Sequence, residues 1–138
     1  MGLCNVAERI IDLCLTFNRV SPGQFRASLV RAIDSSPYHR ENIDLKDSYE
    51  GDECWLGGQS GFAVTPDREI ISVFSCAAGE GSQLLSFARA QYDELHLNCY
   101  NTTFLRNFYQ KNGFRILRQE PNWIPGKRDV LFMGYKKS

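Results

Sequence analysis

The chain has 138 residues, 43% of them apolar, and its 16 basic side chains balance 16 acidic ones. That length holds one domain, 1–138, with a real core and excludes two, and the absence of net charge leaves no global field to attract nucleic acid or an anionic membrane. The five cysteines (Cys4, Cys14, Cys54, Cys76, Cys99) are odd in number, scattered and free of any Cys-x-x-Cys pair, which predicts free thiols in a reducing cytoplasm.

No stretch reaches the roughly 20 apolar residues of a membrane span, and Glu8 and Asp12 interrupt the apolar N-terminal segment where a signal sequence would not. The protein is expected to be soluble and unexported. Met1-Gly2 opens like a myristoylation signal, but Val6 stands where Ser or Thr is required. Asn101-Thr102-Thr103 reads as a glycosylation sequon, which matters only in a secreted chain.

Ala7 to Phe17 carries Ile10, Ile11, Leu13, Cys14 and Phe17 at helical spacing and predicts an amphipathic first helix. Ser21-Pro22-Gly23-Gln24 reads as a capping box opening a second helix, with Phe25, Leu29, Ala32 and Ile33 on one face and Ser35-Ser36-Pro37 as its stop. From Tyr38 to Asp52 neither helical nor strand period is visible, so this stretch is expected to be a long surface loop available to substrate. Cys54-Trp55-Leu56, Phe62-Ala63-Val64 and Ile70 to Ser75 predict antiparallel strands. Pro66-Asp67 marks a turn, while Gly57-Gly58 and Gly61 loosen the first connection or mark a bulge.

Beyond Cys76 the order is loop, helix, strand, helix, strand, loop, strand. Ser82 is expected to cap a helix bearing Leu84, Leu85, Phe87 and Ala88, and Leu95 to Cys99 is a short strand. Thr102 or Thr103 caps a helix with Phe104, Leu105, Phe108 and Tyr109 on one stripe, closed by Asn112-Gly113. Phe114 to Arg118 and Val130 to Tyr135 complete the sheet around the loop from Pro121 to Lys127.

The strongest chemical signal is the strand Ile70 to Ser75 running through Cys76-Ala77-Ala78-Gly79-Glu80-Gly81-Ser82 into a helix. Two glycines let backbone approach a ligand closely, and free amides at the positive end of a helix favour an anion such as a phosphate. A plain tight turn explains this stretch about equally well until a second signal is added. That signal is Phe108-Tyr109-Gln110-Lys111-Asn112-Gly113-Phe114, which follows a strand and an Asn-bearing turn.

Together these segments resemble the GNAT-type N-acetyltransferases, a family marked by Gln/Arg-x-x-Gly-x-Gly/Ala after a central strand and by a helix ending Tyr-x-x-x-Gly-Phe. Cys76 to Gly81 fits the first pattern except at its first position, and Tyr109 to Phe114 fits the second throughout. The resemblance covers residues 53–138, and the two N-terminal helices suit the family's opening elements. Leu97 to Tyr100 and Glu120 to Trp123 through Asp129 to Met133 are similar to compact members of phages and mobile elements.

The resemblance implies an α/β (α+β) fold with a mixed, largely antiparallel central sheet flanked by about four helices. It implies acetyl-coenzyme A, or another acyl-CoA, as co-substrate and a primary amine of a small molecule or protein as acceptor, with no metal. Val73, Phe74 and Ser75 take the place of the strand whose backbone bonds the pantetheine arm. Gly79, Glu80, Gly81, Ser82 and Gln83 take that of the pyrophosphate loop. Asn101 resembles the asparagine that contacts cofactor, one residue farther from the tyrosine than usual. Tyr109 is the expected acid for the departing thiolate, since a phenol of pKa about 10 is neutral at pH 7. Glu69 is placed most like the family's general base, with Glu53 and Asp52 next.

Two residues depart from the pattern. Cys76 replaces a Gln or Arg donor, and Glu80 brings a negative charge that costs on the order of 0.7 kcal/mol about 6 Å from a phosphate in water. Arg89, Arg106 or Lys111 would compensate. A thiol just ahead of a helix start also suggests a nucleophile or redox sensor. His39 and His96, expected on a loop and a strand, support neither a Cys–His pair nor a metal site by their spacing. The second functional reading is a binding module that keeps the fold without efficient chemistry and captures a host protein partner. Either reading is compatible with a monomer or a homodimer.

Overall fold

The computed structural model describes residues 15–138. The helix expected over residues 7–17 falls mostly outside that range, and its last three residues are not helical. Phe17 is instead sunk into the core, and the Leu15 N–H donates to Gln83 Oε1 at 2.9 Å.

One sheet runs β1 (Asn18–Val20), β2 (Glu53–Gly57), β3 (Ser60–Val64) and β4 (Ile70–Ser75) in that spatial order, each pair antiparallel. A second places β7 (Val130–Lys136) between β5 (Glu94–Tyr100) and β6 (Arg115–Glu120), again antiparallel. The helices among the described residues are α1 (Pro22–Ser35), α2 (Pro37–Asn42), α3 (Glu80–Gln91) and α4 (Thr103–Lys111).

Helix α1 starts as its sequence directs: Pro22 opens it and Ser21 Oγ accepts from the Gln24 N–H at 3.1 Å. Phe25, Leu29 and Ala32, at i, i+4 and i+7, are buried on one face. Ser36-Pro37 then repeats the same device, Ser36 Oγ accepting from the His39 N–H at 3.4 Å, so the segment that stops α1 also starts α2. The long loop expected from Tyr38 is therefore shortened by a helix. Its remainder is not wholly superficial either. Tyr49 is buried edge-on to Phe25, 5.0 Å between ring centres, and Asp52 is buried against Lys46 Nζ at 2.7 Å.

Strand β3 is buried on both faces, and alternation sends its side chains to two cores. Phe62 and Val64 join α3 (Leu84, Leu85, Ala88), Leu95, Leu97, Phe114 and Met133 on one side. Ala63 meets α1 and Tyr49 on the other, together with Cys54 and Phe74. Helices thus cover both faces of the first sheet.

Helix α3 corrects one expectation. Ser82 lies inside its first turn rather than at its cap. The cap is Gly79, at φ 81, a left-handed backbone that glycine adopts without Cβ strain. Thr102 does cap α4, its Oγ1 accepting from the Leu105 N–H at 3.1 Å.

The two sheets meet where β4 and β5 run parallel, but they touch only at the start. Glu69 bridges His96, and the His96 N–H donates to Arg68 O at 3.0 Å. Midway along β4, Ser72 has φ 53 and the register with β3 slips between Gly61 and Ala63, which is a β-bulge. Tyr49 and Ser72 hydroxyls bond at 2.6 Å and Ser72 Oγ donates to Asp44 O at 3.2 Å, holding that backbone in place. Beyond the bridge the strands diverge.

Candidate active site

The divergence opens a cleft of about 360 Å³ between β4 and β5, closed at one side by α2 and the residues after it and at another by α4. Glu69, Val73, Phe74, Ser75 and Tyr109 all line it, so these expected site residues come together from β4, the residue just before it, and α4. Strand β4 is paired on its β3 side only, apart from the Glu69 bridge, which leaves its other edge free to bond a ligand's amides.

Tyr109 is 7% exposed, held edge-on between Phe108 and Phe114 at 5.2 and 5.8 Å between ring centres. Its hydroxyl has no hydrogen-bond partner among the described residues. Burial, with smaller contributions from Cys99 and Tyr38, holds the phenol well above its ordinary value of 10. The phenol is therefore neutral at every physiological pH.

The glycine loop follows Ser75 directly. The N–H groups of Gly79, Gly81 and Ser82 find no backbone or side-chain acceptor among the described residues, while the Glu80 N–H donates to Ala77 O at 3.3 Å. A Cβ on Gly81 would lie 3.0 Å from Phe108 Cζ, so glycine lets the start of α3 approach the α4 ring that also lines the cleft. Three N–H groups without an acceptor among the described residues thus lie at the positive end of a twelve-residue helix, a cradle of the kind that suits an anion.

The Glu80 carboxylate is directed away from that cradle. Its Oε1 accepts from the Gln59 N–H at 2.9 Å and from the Ser60 hydroxyl at 2.7 Å, pinning the helix start to the β2–β3 turn. Gly58, at φ 56, leaves the room this needs, since a Cβ there would sit 2.7 Å from Glu80 Oε2. Glu80→Ala is expected to cost about 1–2 kcal/mol in urea denaturation by orphaning those two donors.

Other expected residues are engaged elsewhere. The Gln83 carboxamide accepts from the Leu15 N–H. Asn101 does not line the cleft, and its Oδ1 accepts from Arg106 Nη1 at 3.0 Å. Asp52 is paired with Lys46, and Glu53 accepts from the Tyr92 hydroxyl on the far side of β2. Of the three carboxylates considered as bases, Glu69 alone lines the cleft; Asn98 Nδ2 donates to its Oε2 at 3.4 Å. Arg89 lies against the Tyr135 ring, so neither it nor Arg106 is directed at the loop as a free cation.

Asn98 and Phe104, which sequence reasoning did not single out for the site, also line the cleft, as do Tyr38 and Asp44 from the stretch expected to be available to substrate. The spacing gave no support for a Cys–His pair, yet His39 Nε2 stands 3.7 Å from Cys76 Sγ. The residues are 37 apart in sequence, and α2, read as loop, brings them together. No group of three or more potential metal ligands occurs among the described residues, nor any helix long and apolar enough to cross a membrane.

No family model matches the sequence, and no curated protein matches it. Solved structures do. An acetyltransferase of Bacillus subtilis in complex with CoA superimposes with a TM-score of 0.63 at 18% identity, over 90% of this chain and 99% of that one. A GNAT family acetyltransferase of Elizabethkingia anophelis with acetyl-CoA bound gives 0.56 at 19% identity, over 89% and 98%. An aminoglycoside N(6')acetyltransferase of Legionella pneumophila gives 0.65 at 15%, over 89% and 92%. The chain has the GNAT acetyltransferase fold, mixed α+β with antiparallel sheets and a parallel β4–β5 junction.

Proposed function

We propose that this protein is an acyl-CoA-dependent N-acyltransferase that moves an acetyl group from acetyl-coenzyme A to a primary amine of a small molecule or protein. The observation that carries the reading is the β4–β5 cleft, with a buried phenol at its side and helix-start amides next to it that have no hydrogen-bond partner among the described residues. The free edge of β4 from Val73 to Ser75 would bond the pantetheine amides and the acyl carbonyl. The amides of Gly79, Gly81 and Ser82, with Gln83 behind them, would hold the pyrophosphate. Tyr109 would protonate the leaving thiolate, and Glu69 would take the proton that the amine must lose before or during attack.

The test is thermal stabilisation. Acetyl-coenzyme A at a hundred times its Kd should add about 2.7 kcal/mol to stability. Product formation on an amine panel, followed by mass spectrometry, should then identify the acceptor. A melting temperature unmoved by millimolar acetyl-coenzyme A would overturn the reading.

A further inference from the structure

Cys76, the first residue after β4, is exposed, and its Sγ lies 3.7 Å from His39 Nε2. His39 is itself only 9% exposed, and its Nδ1 has no hydrogen-bond partner among the described residues. With the ring proton on Nδ1, Nε2 is a bare acceptor aimed at the thiol.

The thiol also borders a second recess, distinct from the cleft, of about 320 Å³. Ala32 and Leu56 give it an apolar floor and Ser28 and Ser35 supply hydroxyls. Arg31 stands at the side, its Nη2 donating to Ser28 Oγ at 3.0 Å, and it pairs with no carboxylate among the described residues. The thiol and the Arg31 guanidinium therefore share one small concavity, while His39, which lines the cleft, stands within 3.7 Å of the same sulfur.

We propose that Cys76 is a nucleophilic thiol, with His39 as its base, that exchanges with low-molecular-weight disulfides whose anionic groups are held by Arg31. The Cys76 proton passes to His39 Nε2. The Sγ electron pair attacks one sulfur of the disulfide, forming the Cys76 mixed disulfide and breaking the original S–S bond. The second sulfur leaves as a thiolate and takes the proton from His39, so no further oxidant is required. Cys54 and Cys99 do not compete, because burial pushes each thiol up to about 11. Nothing in this inference depends on acyl transfer.

The test exposes the full chain to oxidised glutathione at pH 7 and locates the adduct by peptide mass mapping. The adduct is expected on Cys76, forming about tenfold faster than on a free cysteine peptide, of which only a few per cent is thiolate at that pH. His39→Gln should bring the rate down to the peptide's while the protein still melts cooperatively. Arg31→Ala, an exposed change, should slow glutathione disulfide about threefold and leave neutral bis(2-hydroxyethyl) disulfide unaffected. A Cys76 rate no faster than the peptide's, a first adduct on Cys4 or Cys14, or equal loss with both disulfides in Arg31→Ala overturns the proposal. Should His39→Gln fail to fold, the ratio to the peptide and the Arg31 comparison decide it.

Discussion

Tyr109→Phe is expected to lower kcat on the order of a hundredfold, leaving KM for acetyl-coenzyme A nearly unchanged, because it deletes the proton donor and nothing else. The ring keeps its edge-on contacts with Phe108 and Phe114, and the lost hydroxyl made no hydrogen bond among the described residues. The thermal midpoint at pH 7 should therefore hold. Because burial raises the folded phenol above 10, wild-type turnover should show no alkaline loss from this group below about pH 10. The same sign applies to stability. A group whose folded value is raised contributes stabilisation that is complete below its unfolded value, here about 10, and lost as pH rises through the folded one. Melting curves should thus decline above about pH 10 in the wild type and less steeply in Tyr109→Phe. A variant with wild-type kcat on a working amine would remove Tyr109 from the chemistry, whereas failure to bind acetyl-coenzyme A at all would count against the whole reading.

Much of the fold was legible because local signals agreed with the tertiary outcome. Ser21-Pro22 and Thr102 cap helices where their chemistry predicts, and the apolar runs at Cys54, Phe62 and Ile70 are strands. What was not legible depended on contacts distant in sequence or on single backbone angles. Helix α2 has six residues, too few for a period to show, and its Ser36-Pro37 start doubles as the end of α1. Strand β1 has three residues and exists because β2 lies beside it. In the site, the central strand and Tyr109 were found by motif, but the direction of Glu80 was not, since it is set by two donors about 20 residues upstream. The left-handed Ser72 gives no warning in sequence; a buried tyrosine from the intervening loop holds it.

Phe62→Ala should remove about 3–5 kcal/mol, out of a total that for a domain of this size is about 5–15 kcal/mol. The side chain is 0% exposed at the middle of β3, stacked on Trp55 at 6.3 Å and 12° and flanked by Phe17 and Phe87 at 6.1 and 6.3 Å. Those neighbours belong to β2, the segment before β1, and α3, so the cavity would open where three elements converge. Collapse to fill it is resisted from behind, because Ala63 on the opposite face is packed against α1 and Tyr49. Urea titration should show a lower midpoint at an unchanged slope, as expected when stability rather than compactness is altered. Leu117→Ala, on an exposed strand at 57% accessibility, supplies the contrast and should stay within about 0.5 kcal/mol. Because α3 carries the loop at Gly79 to Ser82, the Phe62 variant should also bind acetyl-coenzyme A more weakly, even at temperatures where it is folded. A Phe62→Ala loss below 1 kcal/mol would mean that the rings of Phe17, Trp55 and Phe87 close over the space unaided, and the loop would then owe its position to the Glu80 bonds rather than to this core.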